Sequence, residues 1–201
     1  FMEMRKIKCL IVSVCILFTL VLPQAQKVMI YTSAGNIEVE LYGDKAPVTT
    51  TNFLQYVKDG VYNGGSFYRA VRPNNQRKDQ PHIEVIQGGI DADSLKRRAP
   101  IELERTSVTG LKHEHGTISM GRTGPNSASS EFFICINAQP SLDFGGNRNP
   151  DGQGFAAFGK VTKGMKVVRK IQQRKTTLYP ALGLNQRLVN PVKIIKIEII
   201  N

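Results

Sequence analysis

Few side chains in this sequence have a type and spacing suited to chemistry. The serines at positions 119, 127, 129 and 130 have no recognisable histidine and acid partners, so hydrolysis has little support. A different candidate is Arg69, which follows Phe67 by two residues in an alternating stretch. We expect both on one face of a strand, where a permanently charged, planar guanidinium beside apolar surface is a fixed hydrogen-bond donor.

Metal chemistry is disfavoured by the spacing of the possible ligands. His82, His113 and His115 do not follow a zinc-binding pattern. The segment 147–152 is similar to the first half of a calcium-binding loop, but Phe158 stands where such a loop needs a bidentate glutamate. The sequence therefore predicts an activity that needs no metal ion and no cofactor.

The elements that must position Arg69 are predicted to be short strands joined by turns. Residues 28–31 and 36–41 alternate around a turn, which predicts a hairpin. Helical patterns begin at Pro47, ending near Gly60, and over 164–171. Further strands are predicted over 66–71, 84–87, 117–120, 132–137, 155–161 and 192–200. Many short strands and only two helices indicate a mainly β protein with a closed or nearly closed antiparallel barrel.

Residues 1–25 are predicted to be an N-terminal signal peptide. Three basic residues between positions 5 and 8 precede an apolar stretch from Cys9 to Leu22, and Ala25 suits a cleavage point. The stretch is shorter than the ~20 residues of a membrane-spanning helix. We expect an exported protein, periplasmic or in the cell envelope, with one folded domain over 26–201. An uncleaved signal that anchors the chain to the membrane is the alternative.

The chain is basic, with a net charge of +11 and a pI near 9.7. Its basic residues are scattered, and no stacking aromatic motif accompanies them, so the sequence predicts a solvated basic face and no specific nucleic-acid site. Salt-dependent binding to anionic surfaces is an alternative. After the predicted signal, Cys135 is the single cysteine, and its apolar surroundings predict a buried, unreactive thiol.

Several separated segments, in the same order, resemble the cyclophilin-type peptidyl-prolyl cis/trans isomerases over about residues 28–199. Phe67-Tyr68-Arg69 matches the family's Phe-His-Arg strand, with tyrosine in place of histidine. The other matching segments are Val85 to Gly89, Ile118 to Gly121, Gly124 to Ser127, Ser130 to Ile134 and Phe158 to Val161. The resemblance implies a closed eight-stranded antiparallel β-barrel capped by two α-helices, and isomerase activity on proline-containing polypeptides.

Such an isomerase has no bond to break. The barrier of ~18–20 kcal/mol is lost amide resonance, so a catalyst must favour the twisted amide. An apolar pocket and a cationic donor to the amide nitrogen do so, and each ~1.4 kcal/mol is tenfold in rate. The resemblance implies that Arg69 is the catalytic cation, and that Gln87 hydrogen-bonds the substrate backbone and helps to orient Arg69.

The resemblance also implies a set of substrate-binding residues. Phe133 would form the wall of the proline pocket, Phe155 takes the position of the family's pocket histidine, and the main chain near Arg122 would bind the substrate backbone. The full set is Phe67, Val85, Met120, Gly121, Arg122, Phe133, Leu142 and Phe155.

Besides Tyr68 and Phe155, three positions depart from the family's pattern. Glu84 replaces a second pocket phenylalanine, Glu131 a glutamine, and Ser141 the tryptophan that contacts the cyclosporin-type drug. A glutamate near the catalytic arginine would either hold the guanidinium or over-neutralise it, and the sequence leaves both open. We expect altered substrate preference and poor drug sensitivity. The inserted loop 73–82 would either contact client proteins or be a plain polar surface loop.

We therefore expect a monomeric isomerase that assists the folding of exported proteins. The alternative is a binding or chaperone module that keeps the barrel but has weak or no isomerase activity. Glu84 and Ser141 favour that alternative, whereas Arg69, Gln87 and Phe133 oppose it.

Overall fold

A long strand near the C-terminus closes the sheet of this protein into a barrel. The computed structural model describes residues 26–90 and 94–200, so the predicted signal peptide lies outside the described residues. The strands are β1 (Gln26–Thr32), β2 (Gly35–Leu41), β3 (Ser66–Val71), β4 (Val85–Gly89), β5 (Thr117–Met120), β6 (Phe132–Cys135), β7 (Ala157–Lys163), β8 (Thr176–Tyr179) and β9 (Leu184–Ile200). The helices are α1 (Pro47–Lys58), the single turn α2 (Thr106–Thr109) and α3 (Met165–Gln172).

The strand order confirms the predicted eight-stranded antiparallel barrel. The sheet runs β1-β2-β7-β5-β6-β4-β3-β9, and β9 also pairs with β1, which closes it. The strand β8 was not predicted; it pairs with the first part of β9 and forms a hairpin beside the barrel. In the part of the chain that the structure describes, no helix is long and apolar enough to cross a bilayer.

The two predicted helices are present with nearly the predicted bounds. Pro47 occupies the first turn of α1, where its missing N–H leaves no bond unmade. The next two backbone N–H groups, of Val48 and Thr49, donate to the Glu104 carboxylate at 3.0 and 2.8 Å. A carboxylate from a distant loop thus supplies the N-terminal cap that the local sequence lacks.

Alternation along the strands fills the barrel with apolar side chains. Phe132 on β6 lies at the centre, with edge-to-face contacts to Phe53 of α1, to Tyr62 and to Phe67, at centroid distances of 5.4–5.6 Å. All four rings have no exposed surface. Burial of each such ring stabilises the fold by ~1.5–3 kcal/mol.

A second, smaller apolar cluster lies on the outer face of β3, β4 and β6. Its members are Val71, Ile83, Val85, Phe133, Cys135 and Leu142, with Phe155 packed against them. Cys135 is fully buried, as the sequence predicts, and burial raises the pKa of its thiol well above the ordinary value. This cluster forms the floor of the candidate site.

An irregularity in β3 corrects the expectation that Phe67 and Arg69 share a face. The register with β4 shifts between them, so that Phe67 pairs with Gly88 and Arg69 with Gln87. A β-bulge of this kind inserts one extra residue and turns the following side chain to the other face. Phe67 therefore points into the barrel, and Arg69 points out of it.

Candidate active site

A pocket of about 500 Å³ lies over the outer apolar cluster and is open to solvent. One side is apolar, formed by Ile83, Val85, Phe133, Leu142 and Phe155. The other side carries Arg69, Gln87 and Arg148, and the segment from Gly121 to Thr123 forms the rim. A concave apolar site with a few convergent polar groups has the form and size of a small-ligand site.

Phe133 forms the centre of the apolar wall. Its ring makes an edge-to-face contact with Phe155, with centroids 5.3 Å apart. The His113 ring stacks nearly parallel to Phe133 at 5.9 Å and also meets the Phe155 ring, with centroids 6.5 Å apart. The three rings therefore contact one another pairwise, and this mutual packing fixes the shape of the wall.

The Arg69 guanidinium is held by two glutamine side chains. Its Nη1 donates to Gln87 Oε1 at 2.7 Å, and its Nε and Nη2 donate to Gln186 Oε1 at 2.9 and 2.6 Å. These bonds use three of the five N–H groups that an arginine has. Because both partners are rigidly placed in the sheet, the guanidinium plane is fixed with donors left to face the pocket.

The site contains a second cation, Arg148, which was not predicted from the sequence. Its Nη1 donates to the Pro81 carbonyl at 2.8 Å and to Gln76 Oε1 at 3.3 Å. Burial and the nearby charge of Arg148 lower the pKa of Arg69 to about 10. Arg69 is nevertheless a cation near neutral pH, because its pKa lies well above 7.

The inserted loop 73–82 fastens the polar side of the pocket. Gln186 Nε2 donates to the Asn75 carbonyl at 2.9 Å, and the loop also supplies the two acceptors that hold Arg148. Gln186 is fully buried. The loop therefore contacts Gln186, one of the two residues that orient Arg69, in addition to presenting polar side chains to solvent.

Of the predicted binding residues, Phe67 and Met120 lie inside the barrel and do not line the pocket. Both are almost fully buried in the main core, because the bulge in β3 and the alternation of β5 turn them inward. The other six predicted residues line the pocket together with Arg69 and Gln87. Ile83, which was missed, alternates with Val85 and Gln87, so strand periodicity could have identified it.

Arg122 supports the pocket wall with its side chain. Its two Nη atoms donate to the Asp151 carboxylate at 2.7 and 2.9 Å, its Nε donates to the Gly154 carbonyl at 2.7 Å, and its guanidinium lies 5.1 Å from the centre of the Phe155 ring. The arginine thereby fixes Phe155 against Phe133. The carboxylate of Asp151, which lies in the segment similar to a calcium-binding loop, forms this ion pair with Arg122.

The three departures from the family pattern lie in different places. Glu84 points away from Arg69, because its carboxylate accepts from Asn137 at 2.8 Å and from Gln172 at 3.4 Å. Ser141 accepts a backbone hydrogen bond from Arg148 and does not line the pocket. Glu131 is connected to Arg69 through the side chains of Tyr68 and Gln87 and does not contact the guanidinium directly.

Ser119 has the histidine and acid partners that the sequence did not reveal, which corrects that expectation. His113 Nε2 lies 2.9 Å from Ser119 Oγ, and its Nδ1 lies 2.7 Å from Asp143 Oδ1. Ser119 has no exposed surface, however, and His113 is 1% exposed. A nucleophile must be reached by its substrate, so this network braces the Phe133 wall from behind and does not support hydrolysis. Within 26–90 and 94–200, no group of three or more His, Cys, Asp or Glu side chains is placed to hold a metal ion.

Comparison with known proteins agrees with this geometry. The sequence model described as "Cyclophilin type peptidyl-prolyl cis-trans isomerase/CLD" matches residues 27–199. A "Peptidyl-prolyl cis-trans isomerase" of Acinetobacter baylyi is 37% identical over 170 residues, which cover 84% of this chain and 82% of that protein. "Peptidyl-prolyl cis-trans isomerase A" of Dickeya dadantii is 40% identical over 150 residues, covering 74% and 72%.

The fold is also that of a solved structure. A cyclophilin type peptidyl-prolyl cis-trans isomerase of Cryptosporidium parvum superposes with a TM-score of 0.68 at 22% identity, covering 88% of this chain and 98% of that chain. The sequence match spans the folded domain, and the relatives align over most of their length. This chain therefore belongs to the cyclophilin-type peptidyl-prolyl cis-trans isomerase family.

Proposed function

We propose that this chain accelerates the cis/trans isomerisation of Xaa-Pro bonds with Arg69 as its catalytic residue. The observation that carries the proposal is the placement of a partly buried guanidinium, fixed by Gln87 and Gln186, directly beside an apolar wall centred on Phe133. Uncatalysed exchange takes tens to hundreds of seconds. The site offers what the reaction requires, which is a place for the ring and a donor for the amide nitrogen.

In the proposed mechanism the proline ring packs against Phe133, and the bond before it lies beside Arg69. As the amide twists, its nitrogen loses conjugation and regains a lone pair, which accepts a hydrogen bond from the guanidinium. The donor stabilises the twisted amide more than the planar one, so the interaction lowers the barrier to isomerisation. Gln87 and Gln186 keep the donor in place while the rest of the substrate rotates.

The direct test is cis/trans exchange of an Ala-Pro peptide followed by NMR. Arg69→Ala removes the donor, and we expect the acceleration to fall by ~10²–10³, the usual cost of losing one preorganised donor. Arg69→Lys should recover little, because a point charge does not reproduce the planar fork. Arg169→Ala, on the exposed face of α3, is the matched control and should match the unchanged protein. Equal exchange with and without Arg69 would falsify the assignment.

The alternative, a binding or chaperone module, makes a different prediction in the same experiment. It predicts client capture with no acceleration by the unchanged protein. We favour the enzyme because the polar groups that orient Arg69 are all present and engaged. A module that had lost catalysis would have no need of them.

We further propose that the protein is a monomer, and that it acts on exported clients; the second proposal rests on the predicted signal at 1–25. N-terminal sequencing of the protein from an envelope fraction should give a start close to residue 26. A start near Met2 in the membrane fraction would support the anchored form instead. Light scattering of the folded domain measures its molar mass and so tests whether it is a monomer.

A further inference from the structure

A chain of hydrogen bonds runs from Glu131 to the catalytic arginine. The Tyr68 hydroxyl donates to Glu131 Oε2, Gln87 Nε2 donates to the Tyr68 hydroxyl at 2.8 Å, and Arg69 Nη1 donates to Gln87 Oε1 at 2.7 Å. Four side chains are thus linked in series, from Glu131 just before β6 to Tyr68 and Arg69 of β3 by way of Gln87 of β4. Two of them, Tyr68 and Glu131, lie outside the pocket of about 500 Å³.

The donor-to-acceptor direction of these hydrogen bonds is set by the groups at both ends of the series. An ionised carboxylate can only accept, and a guanidinium can only donate. With Glu131 ionised, Tyr68 must give its single proton to the carboxylate, so its oxygen accepts from the Gln87 amide nitrogen. Gln87 then presents its oxygen to Arg69, which is the orientation that holds the guanidinium.

Protonation of Glu131 removes the constraint at the carboxylate end of the series. The neutral acid can donate to Tyr68, and Tyr68 can then donate to the Gln87 oxygen. In that arrangement the Gln87 amide is turned over, and its NH₂ group faces Arg69, donor against donor. Arg69 keeps Gln186 but loses its second anchor, so the guanidinium is less well fixed.

The surroundings of Glu131 influence whether its carboxylate is ionised or protonated. A Cβ atom on Gly89 would lie 2.4 Å from Glu131 Oε1, and one on Gly121 would lie 3.1 Å from Glu131 Cβ, so two glycines allow the carboxylate to sit close to the sheet. Arg97 Nη2 lies 4.0 Å from Oε1. Burial raises the pKa of Glu131, although hydrogen bonds from Tyr68 and Gln87 and the charge of Arg97 oppose the rise.

Other titratable groups also surround this carboxylate, and each must be considered in a pH experiment. They come from β3, β8, β9 and the neighbouring loops. Besides Tyr68 and Arg97, they are Tyr62, Arg122, Tyr179, Arg187 and Lys193. All of these are tyrosines, arginines or a lysine, so Glu131 is the one carboxyl group in this set. In mildly acidic solution Glu131 is therefore the group among them whose charge changes.

We propose that Glu131 and Tyr68 are positioning residues that bias the direction of the Gln87 amide, so that Arg69 is best fixed, and most active, when Glu131 is ionised. This inference rests on the proposed function, since it concerns the same arginine. Neither residue touches the substrate in this scheme. The glutamate therefore holds the guanidinium through an intermediate amide and does not neutralise it by direct contact.

The first test is the pH dependence of kcat/KM between about pH 4 and pH 8. The unchanged protein should lose activity as the pH falls through the raised Glu131 pKa. Glu131→Gln should remove that acid limb, because its amide does not titrate, and Tyr68→Phe should flatten it and lower activity by about tenfold at neutral pH. Glu114→Gln, an exposed carboxylate on a remote turn, should keep the limb. An acid limb that persists in Glu131→Gln would overturn the proposal.

The second test does not depend on activity. The side-chain amide resonances of Gln87, followed by NMR over the same pH range, should shift with the titration of Glu131 and stay constant in Glu131→Gln. Gln87 resonances that do not respond to pH in the unchanged protein would overturn the relay. Absence of acceleration at every pH would instead overturn the proposed function, and the amide titration would then decide the relay by itself. Thermal unfolding of each variant separates loss of position from loss of fold.

Discussion

Phe132 and Phe133 are neighbours on β6 but belong to different parts of the molecule. Phe132 points into the barrel and contacts three aromatic rings of the main core. Phe133 points outward, packs against both His113 and Phe155, and lines the pocket. Both are almost fully buried, so burial alone does not distinguish a residue of the fold from a residue of the site. The face of the strand on which a residue lies does distinguish the two.

The largest expected effect is on the inner face. Phe132→Ala removes the ring at the centre of the barrel and leaves a cavity, which should lower the free energy of unfolding by ~3–5 kcal/mol. Urea denaturation measures the loss. The folded fraction should retain the kcat/KM of the unchanged protein; an inactive but stable variant would break the distinction between the two faces.

Gln186→Ala tests the polar side of the outer face. It removes the acceptor of two Arg69 hydrogen bonds and leaves buried donors unpaired, a cost of ~1–3 kcal/mol in stability. We expect kcat to fall more than KM rises, because the substrate still binds the apolar wall while the donor is misplaced. A change in KM alone would show that Gln186 contributes only to binding.

Phe133→Leu tests the apolar side with a smaller change. Leucine keeps apolar volume but not the flat ring, so we expect kcat/KM to fall about fivefold, or ~1 kcal/mol. The loss of stability in urea should be smaller than for Phe132→Ala, because leucine keeps most of the apolar volume. A stability loss comparable with that of Phe132→Ala would show that the two faces are energetically continuous.

The smallest effect concerns the ion pair that supports the wall. Arg122 lowers the pKa of Asp151 to about 2, so this carboxylate contributes stability above the ordinary carboxylate range, and the contribution is lost as the pH falls towards about 2. Asp151→Asn should be slightly less stable than the unchanged protein at neutral pH, and the difference should vanish in strong acid. Urea midpoints at several pH values measure it. A difference that grows on acidification would have the wrong sign for this pair.

Sequence patterns predicted the strands that build both faces, because alternation is a local property. The hairpin of β1 and β2, the start of α1 at Pro47 and the bounds of β3 and β5 were all predictable in this way. The strand β8 was not, because its side chains are partly exposed and show no clear alternation. The bulge in β3 was missed for a related reason, since it is defined by pairing with β4.

The candidate site was predictable where it follows a motif and not where it depends on contacts between distant residues. Arg69 and Gln87 were identified from the resemblance. Gln186 lies 117 positions after Arg69, in a segment with no motif, and only the path of β9 brings the two together. The partners of Ser119 are likewise supplied by a turn and a loop, which no spacing rule connects to a serine on β5.

The strand β9 pairs with β1, β3 and β8, which has a consequence for the order of events during synthesis. Because the chain emerges N-terminus first, β1 and β3 must each wait for the same late segment, and until it arrives both have an unpaired edge. Such edges favour association with other chains. Gln186 arrives with that segment, so Arg69 has both of its glutamine anchors only when the barrel closes, and a nascent chain does not yet have the complete site.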